Sequence, residues 1–337
     1  MTYQPVQPLA WYGGSYYDYD AEPVATPVTL DQEDEAQTRP DWKSEQRWKR
    51  GLVMGRFMPP HRGHEFLIGF ARAQVDKLNI GLRASPQDPI SPTLRAGWLK
   101  ALFPGCKVIA DDNFFKVDVV FSSDARHQEF ADKLGAVLVL CDPERVTVPI
   151  SATQIRSDPF RHWDFMAPVV RRHYLKVVRV VGAEGSGKTT LCQRLANHFR
   201  TCFVPEFAAA LAARNGGQLP KKELASWARQ HLAARQALEL QANRLLFLDT
   251  DLASVSMWGE RMFGSSPTWI SKKSVDYAAT LILDPVTEGL SALQVEERTE
   301  FHKLWKDVPG DHLIGSAEER FAQALQVIRQ RFGWAAE

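Results

Sequence analysis

The chain has 337 residues, of which 45% are hydrophobic and 24% are charged, and its formal net charge is +1. A chain of this length usually forms more than one domain, and the composition is typical of a globular protein. The near-neutral charge argues against a nucleic-acid-binding protein, and no apolar run is long enough to span a bilayer. Four scattered cysteines without a C-x-x-C pair favour reduced thiols and a cytoplasmic location.

Residues 1–46 differ in composition from the rest of the chain. Tyrosines and acidic residues cluster there, and prolines interrupt any helical or strand pattern. We predict a flexible acidic leader that is too short and irregular to hold a helix-turn-helix domain. The clustered tyrosines leave a second interpretation open, in which the leader is an arm that docks on this chain or on a partner.

From residue 47 onward, short apolar runs alternate with helical patterns, which predicts parallel sheets covered by helices. In the first half we predict buried strands at Leu52–Met54, Ile80–Leu82, Val117–Phe121 and Ala136–Leu140. The intervening helices are predicted to begin between His61 and His64, and to cover Leu94–Phe103 and Phe130–Leu134. The first helix should bury one face, formed by Phe66, Leu67, Phe70 and Ala73.

The loop between the first strand and the first helix reads G-R-F-M-P-P-H-R-G-H, from Gly55 to His64. A helix N-terminus offers free N–H groups and a positive dipole end to a phosphate. Gly63 lets the phosphate approach the backbone, and His61 and His64 can donate hydrogen bonds to it, best as the pH falls toward their pKa. Two surface histidines are the alternative for H-x-G-H alone, but the longer string favours a phosphate site.

Two other positions of this half carry candidate ligand contacts. Arg95, at the start of a helix, could meet a phosphate or a carboxylate, and a surface salt bridge is the competing interpretation. Asp124 follows the strand Val117–Phe121, at the carboxyl edge where open α/β sheets bind ligands.

A second motif, I-S-A-T-Q-I-R, covers Ile150–Arg156. Ser151 is a good N-cap, and Thr153 lies in the first turn of the helix. Arg156 comes about one turn later, where it can reach phosphates held at the helix N-terminus. A capped helix with a surface arginine would explain this motif if it stood alone.

The second half opens with a phosphate-binding loop. Gly182–Thr189 matches G-x-x-x-x-G-K-[ST], preceded by an apolar strand at 177–181 and followed by a helix from Thr190. Backbone N–H groups of such a loop surround phosphates, Lys188 adds charge, and the Thr189 hydroxyl is placed for Mg²⁺. Val169–Lys176, just before it, is predicted to end a long helix that links the two halves, with a basic phosphate patch as the alternative.

Two acidic strand ends accompany this loop. Leu245–Asp251 is an apolar strand that ends in acids, and Asp249 or Asp251 could bind Mg²⁺ through water or act as the base toward an acceptor hydroxyl. Glu206 ends an earlier strand and could hold ribose hydroxyls. An acidic helix cap is the alternative for each, and the intact phosphate loop favours function.

The first two motifs resemble the signatures of the nucleotidylyltransferase superfamily, G-R-F-x-P-P-H-x-G-H and I-S-x-T-x-x-R. Their order before a phosphate loop resembles the NadR-type bifunctional proteins, over roughly residues 50–330, without the N-terminal DNA-binding domain of the enterobacterial members. The resemblance implies nicotinamide mononucleotide adenylyltransferase joined to ribosylnicotinamide kinase, with ATP as co-substrate, Mg²⁺ as cofactor, and nicotinamide mononucleotide, nicotinamide riboside and NAD as the other small-molecule partners.

The resemblance assigns roles by position. The catalytic residues would be His61, His64, Arg156, Lys188, Asp249 and Asp251. ATP and its phosphates would meet Gly55, Arg56, Phe57, Gly63, Ser151, Thr153, Gly182, Gly185, Ser186, Gly187, Thr189 and Thr190. Other substrate contacts would come from Glu206, Asp124 and Arg95, and the metal contacts from Thr189 and Asp249.

The second half departs from the family pattern. Ala209 and Ala210 stand where the family has arginine and an acid, and in the lid Ser291 stands where it has arginine. A lid arginine stabilises charge on the transferring phosphoryl group, and Arg298 is the candidate substitute. ATP binding is therefore better supported than kinase turnover, and a nucleotide sensor or another phosphorylated acceptor remain as alternatives.

We therefore predict an α/β fold with two doubly wound parallel sheets. The predicted organisation is a leader (1–46), a nucleotidylyltransferase domain (47–173) and a P-loop kinase-like domain (174–337). The remaining chain from Phe301 onward should hold lid and terminal helix. We expect no nucleic-acid or membrane partner, and a homo-oligomer is compatible with this organisation.

Overall fold

The computed structural model describes residues 48–110, 116–271 and 276–333, so the predicted leader lies outside the described residues. The described part contains two five-stranded parallel sheets. The first sheet consists of β1 (Trp48–Gly55), β2 (Val75–Leu82), β3 (Lys107–Ile109), β4 (Val119–Ser122) and β5 (Val137–Leu140). The second consists of β6 (Lys176–Gly182), β7 (Phe203–Val204), β8 (Leu245–Asp249), β9 (Ala279–Leu283) and β10 (Asp311–Leu313).

Each sheet is doubly wound, because the chain starts in the middle and proceeds to both edges. The strand orders are β3-β2-β1-β4-β5 and β10-β9-β6-β8-β7. In both sheets the first strand in sequence is central, so its carboxyl end lies at the point where the strand order reverses. The predicted fold class is thus confirmed, and the two Gly-containing motifs follow the two central strands.

Helices cover these sheets. In the first half they are α1 (Arg62–Gln74), α2 (Pro92–Leu102), α3 (Gln128–Lys133), α4 (Ala152–Ser157) and α5 (Pro168–Tyr174). In the second half they are α6 (Lys188–His198), α7 (Ala208–Arg214), α8 (Leu224–Leu238), α9 (Leu252–Phe263), α10 (Thr268–Ser271), α11 (Ala292–His302) and α12 (Ala317–Phe332). Among the described residues, no helix combines the length and the apolarity needed to cross a membrane.

The buried face of α1 differs from the prediction. Leu67, Ile68 and Ala71 face the sheet, whereas the side chains of Phe66 and Phe70 are 38% and 37% exposed. The apolar stripe of this helix is wider than its contact with the sheet. The spacing of the apolar residues therefore predicted the stripe, but not which part of it contacts the sheet.

Three other local predictions also need correction. Strand β5 is an edge strand, so Val137 and Leu140 are exposed at 55% and 42% rather than buried. Helix α5 has seven residues and begins at Pro168, so it is not the end of a long helix. Beyond residue 301, the chain forms strand β10 before its last helix, and β10 is too short to show a periodic pattern.

Both sheets fall within one compact unit, residues 47–337. Only Leu175 separates α5 from β6. Arg172 of α5 forms an ion pair with the buried Glu239 at 2.6 Å, and Arg244 donates a hydrogen bond to the carbonyl oxygen of Phe160 at 2.9 Å. These contacts join the two halves directly beside the connection. The boundary between residues 173 and 174 stays a prediction.

Candidate active sites

The loop after β1 places two imidazoles at the N-terminus of α1. His61 is the N-cap, and its Nδ1 accepts a hydrogen bond from the backbone N–H of Gly63 at 3.1 Å. The Nδ1 of His64 accepts one from the backbone N–H of His61 at 3.3 Å, and the two ring centroids lie 3.8 Å apart. A neutral ring that accepts through Nδ1 carries its proton on Nε2. Each imidazole therefore keeps an Nε2–H donor available.

The surroundings of these imidazoles keep both uncharged near neutral pH. Burial, followed by the nearby charge of Arg145, lowers the pKa of His61 to about 4. Burial also lowers the pKa of His64 well below its usual value, with His61 and Arg145 adding to the effect. The pH range in which charged rings would bind a phosphate therefore lies below that of an ordinary histidine, and the predicted pH dependence stays a prediction. At neutral pH the uncharged rings can donate through Nε2–H.

Gly63 lies tightly against the ring of His61. A Cβ at this position would lie 3.0 Å from Cε1 and 3.1 Å from Nδ1 of His61. A larger residue would require the His61 ring to shift by a few tenths of an ångström. Gly63 thus serves the geometry of the histidines as well as the approach of a ligand.

The second motif lies against the first. Ser151 caps α4 in a reciprocal capping box with Gln154, whose side chain accepts a hydrogen bond from the Ser151 N–H at 2.9 Å. Arg156 donates hydrogen bonds to the carbonyl oxygen of Met58 and, at 3.2 Å, to Thr153 Oγ1. The guanidinium therefore joins the helix of one motif to the loop of the other. Nucleotide contacts by these residues stay predictions.

Arg95 occupies a structural position. Its side chain is fully buried, and it donates to the carbonyl oxygens of Arg56 and Arg83 at 2.5 and 3.1 Å and to Asp88 at 2.7 Å. Arg56 also pairs with Asp88 from the solvent side. The surface salt bridge weighed from the sequence is in fact a buried one. A substrate contact by Arg95 stays a prediction, and its protein contacts indicate that it positions the loop.

Asp124 lies at the carboxyl end of β4, as expected. Its carboxylate binds the guanidinium of the exposed Arg126, with a closest distance of 2.6 Å. These hydrogen bonds lower the pKa of Asp124 below its usual range. A ligand at Asp124 would therefore meet an ionised carboxylate that already has a cationic partner.

Sequence reasoning missed Arg145. This residue is exposed, adopts a φ of 53°, and lies close enough to lower the pKa of both histidines. Its loop is held by Asp142, whose carboxylate accepts from the N–H groups of Val146 and Thr147. A single arginine in an irregular loop has no pattern that could single it out. Its charge acts on the two imidazoles that we predict to bind phosphates.

The phosphate loop has the backbone geometry expected of its sequence. Gly182, Gly185 and Gly187 adopt φ values of 145°, 70° and 91°, which residues with a Cβ rarely adopt. Gly187 is the N-cap of α6, and Lys188 donates to the carbonyl oxygen of Ala183 at 3.0 Å. The loop N–H groups and the N-terminus of α6 can therefore serve an anion.

The metal prediction rests on Thr189 and Asp249. Thr189 Oγ1 donates to Asp249 Oδ2 at 2.5 Å, and Asp249 Oδ1 is buried without a hydrogen-bond partner in the described structure. Burial raises the pKa of Asp249, while Thr189 and Lys188 oppose that rise. A hydroxyl and a carboxylate oxygen are hard ligands of the kind that Mg²⁺ takes. The residues present fit the ion.

A pocket of about 260 Å³ opens beside this pair. Lys188 and Glu206 line its polar side, and Trp227, Trp258 and Trp305 line its apolar side. Burial raises the pKa of Glu206, and Lys188 opposes the rise. A small ligand with a flat ring and hydroxyl groups suits such a pocket.

Asp251 differs from Asp249 in its role. It is fully buried, caps α9 by accepting from the Ser254 N–H at 2.8 Å, and pairs with Arg179 at 3.0 Å. Burial alone raises the pKa of Asp251, but Arg179 and hydrogen bonds from Ser254 and Tyr277 outweigh it and leave the pKa below its usual value. These contacts favour the helix-cap interpretation, and a catalytic role for Asp251 stays a prediction.

Two arginines meet the phosphate loop from later parts of the chain. A Cβ built at Gly185 would lie 2.9 Å from Cζ of Arg298, so this guanidinium of α11 rests on the loop. The buried Arg320 of α12 donates to the carbonyl oxygen of Ser186 at 2.9 Å, and sequence reasoning missed it. Ser291, at the family arginine position, caps α11 with Gln294.

The comparisons with known proteins cover both sites. A family model described as an AAA domain matches residues 177–314. The trifunctional NAD biosynthesis/regulator protein NadR of Escherichia coli (strain K12) is 25% identical over an alignment of 342 residues, gaps included, which covers 84% of this chain and 83% of that protein. The protein of the same name from Salmonella typhimurium is 25% identical over 343 residues, with the same coverage. The chain resembles NadR along most of its length.

Solved NadR structures share the fold. A NadR crystal structure in complex with NR has a TM-score of 0.69 at 20% identity, covering 87% of this chain and 98% of that one. A second, in complex with NAD and AMP-PNP, has a TM-score of 0.65 at 20% identity and covers 86% and 98%. The resemblance to NadR-type proteins that the motifs indicate is thus confirmed.

Proposed function

We propose that this chain makes NAD in two steps, phosphorylating nicotinamide riboside in its second half and adenylylating the product in its first. The observation that carries the proposal is the contact of Arg156 with the Met58 carbonyl, which holds the I-S-A-T-Q-I-R helix against the H-x-G-H loop. Similarity to NadR supports the choice of nicotinamide compounds as substrates.

In the first half, the phosphate of nicotinamide mononucleotide would attack the α-phosphorus of ATP. A P–O bond forms to the mononucleotide and the bond to the leaving pyrophosphate breaks. The attacking phosphate is already an anion, so the site needs no general base and works by alignment and charge stabilisation. His61 and His64 would donate through Nε2–H, and Arg156 and Arg145 would supply positive charge.

In the second half, the hydroxyl of the riboside would attack the terminal phosphorus of ATP, the bond to the leaving ADP would break, and the hydroxyl proton would pass to a carboxylate of the site or to solvent. The pocket of about 260 Å³ would hold the riboside, with Glu206 accepting hydrogen bonds from ribose hydroxyls and the tryptophans packing on the base. Thr189 and Asp249 would hold Mg²⁺, which supplies charge neutralisation between the phosphates when bound. Lys188 would reach the outer phosphates.

A nucleotide sensor is the second candidate for the phosphate-loop half. It is favoured by Ser291, which caps a helix at the position of the family's lid arginine. Kinase turnover is favoured by Arg298, whose guanidinium rests on Gly185 and can face a bound terminal phosphate. A sensor would bind nucleotide through Lys188 without phosphorylating the riboside.

Chromatography of the products tests the proposal. Purified protein with Mg-ATP is given nicotinamide riboside in one reaction and nicotinamide mononucleotide in another. NAD in both reactions is the expected result. NAD from the mononucleotide alone would leave an adenylyltransferase with a sensor half, and no NAD from either would overturn the proposal and indicate another phosphorylated acceptor.

A further inference from the structure

Three side chains with metal-binding chemistry converge next to the second sheet. Asp284 directly follows β9, His312 lies in β10, and His302 is the last residue of α11. His312 Nδ1 and Asp284 Oδ1 share a hydrogen bond of 2.9 Å, and His302 Nε2 lies 3.5 Å from the same oxygen. The three ligand atoms all lie within 4.8 Å of one another.

These separations suit a tetrahedral ion. Bonds of about 2.0–2.1 Å to such an ion place neighbouring ligand atoms about 3.3 Å apart, which is close to the 3.5 Å between His302 and Asp284, and the ion would replace the hydrogen bond between His312 and Asp284. The side chains are 35% (Asp284), 19% (His302) and 45% (His312) exposed, so an ion has a path from solvent and room for a water ligand.

We propose that Asp284, His302 and His312 form a binding site for a divalent transition metal, with Zn²⁺ as the ion that the ligand set fits best. Two imidazoles and one carboxylate suit Zn²⁺, whereas Mg²⁺ takes oxygen ligands almost alone. The site is distinct from the Thr189–Asp249 pair. It needs neutral imidazoles, because a protonated ring has no lone pair to offer.

The position of the cluster gives the metal a role. Arg298, which rests on the phosphate loop, lies four residues before His302, so both side chains lie on the same face of α11. Strand β9, which Asp284 follows, pairs with β6 and brings Leu283 beside Gly182. A metal bound by His302 and Asp284 would therefore fix α11, and with it Arg298, against the strand that borders the phosphate loop.

Metal titration of the full chain tests the site. Zn²⁺ binding is measured by calorimetry in the presence of excess Mg²⁺, for the native protein and for His312→Ala, with His198→Ala as a matched control that removes an exposed imidazole from the same half. We expect one tight site in the native protein and the control, and binding about 100-fold weaker or absent in His312→Ala, which loses one of three ligands. Unchanged binding in His312→Ala, or no tight site in the native protein, would overturn the proposal.

Hydrogen exchange tests whether the bound metal fixes α11. Backbone amides of residues 292–302 should exchange several-fold more slowly when Zn²⁺ is added to the native protein, and at an unchanged rate in His312→Ala. Asp284→Asn, which keeps the size of the side chain, should behave like His312→Ala. Slower exchange in either variant on addition of Zn²⁺ would contradict the assigned ligands.

Discussion

Arg156 donates a hydrogen bond to the carbonyl oxygen of Met58, a residue that precedes it by 98 positions. The contact brings a guanidinium to the loop that also carries the two neutral imidazoles. Because the backbone carbonyl accepts the bond, the contact depends on the length and planar fork of arginine and not on its charge alone. A substitution of Arg156 can therefore separate the effect of its charge from the effect of its hydrogen-bonding geometry.

Arg156→Lys should lower adenylylation of nicotinamide mononucleotide by about 10–100-fold, because lysine keeps the charge but cannot bridge the Met58 carbonyl and Thr153 together. The initial rate of NAD formation is the measurement. Arg161→Lys, at an exposed arginine nearby, is the control and should keep the native rate. Equal rates in both variants would show that the bridging geometry has no part in the reaction.

The pH profile of adenylylation should lack a histidine limb near pH 6.5. The pKa of His61 is lowered to about 4, and that of His64 is also lowered, so both rings stay neutral from pH 8 down to about 6. The rate should therefore not rise as the pH falls through this range. A rise centred near pH 6.5 that disappears in His64→Ala would mean that a charged imidazole does the work.

His231 should make the protein less stable in acid. It is buried in α8, and burial lowers its pKa to about 4, whereas the unfolded chain takes up a proton near pH 6.5. The unfolded state therefore binds more protons between these values, and the free energy of unfolding falls by about 2–3 kcal/mol per such group as the pH drops from above 6.5 to near 4.5.

Urea unfolding of the native protein and of His231→Gln between pH 7 and pH 4.5 measures this contribution. The variant should lose less stability over the interval, whatever its stability at pH 7. His162→Gln, which replaces a histidine that is less buried than His231, should follow the native slope. If the free energy of unfolding fell equally with pH in the native protein and in His231→Gln, then His231 would not contribute to the acid sensitivity.

Lys188→Ala should abolish phosphorylation of nicotinamide riboside while leaving adenylylation of the mononucleotide largely intact. Lys188 lies in the phosphate loop of the second half, and the phosphate contacts predicted for adenylylation lie in the first. The two product assays on one protein preparation give both rates. Loss of both activities in a folded variant would mean that the two sites do not work independently.

Arg298→Gln should lower riboside phosphorylation by about 10²–10³-fold if its guanidinium replaces the missing lid arginine. Glutamine keeps much of the side-chain length and removes the charge that rests on Gly185. Arg261→Gln, an exposed arginine of α9, is the control. A native rate in Arg298→Gln would assign the lid charge elsewhere, and Arg320, bonded to Ser186, would be the next candidate.

The sequence predicted the architecture and the placement of the motifs because these depend on local patterns. Apolar runs marked the central strands, and the glycine and cap residues marked the turns that follow them. Ser151 is the N-cap of α4, as expected, whereas Gly187 caps α6, which begins at Lys188, two residues before the predicted helix start at Thr190. A glycine at positive φ and a serine at an N-cap satisfy local constraints, which are readable without knowledge of the fold.

Features set by long-range contacts were not predictable in this way. The exposure of β5 depends on its place at the sheet edge, and the burial of Arg95 depends on carbonyl groups from two other loops. Arg145 and Arg320 reach the two sites from loops and helices that carry no motif. These residues are near the sites only because of the tertiary fold, and no local pattern in a single sequence reveals that.

The direct contacts between the halves have a consequence for anyone who wishes to study either half as an isolated fragment. Cutting the chain between residues 173 and 174 would leave the buried Glu239 with Arg235 as its remaining arginine, because Arg172 would stay on the other piece. Arg244 would likewise lose the Phe160 carbonyl. A fragment that contains the second half should therefore start upstream of Phe160, or carry Glu239→Gln, to fold and stay soluble during purification.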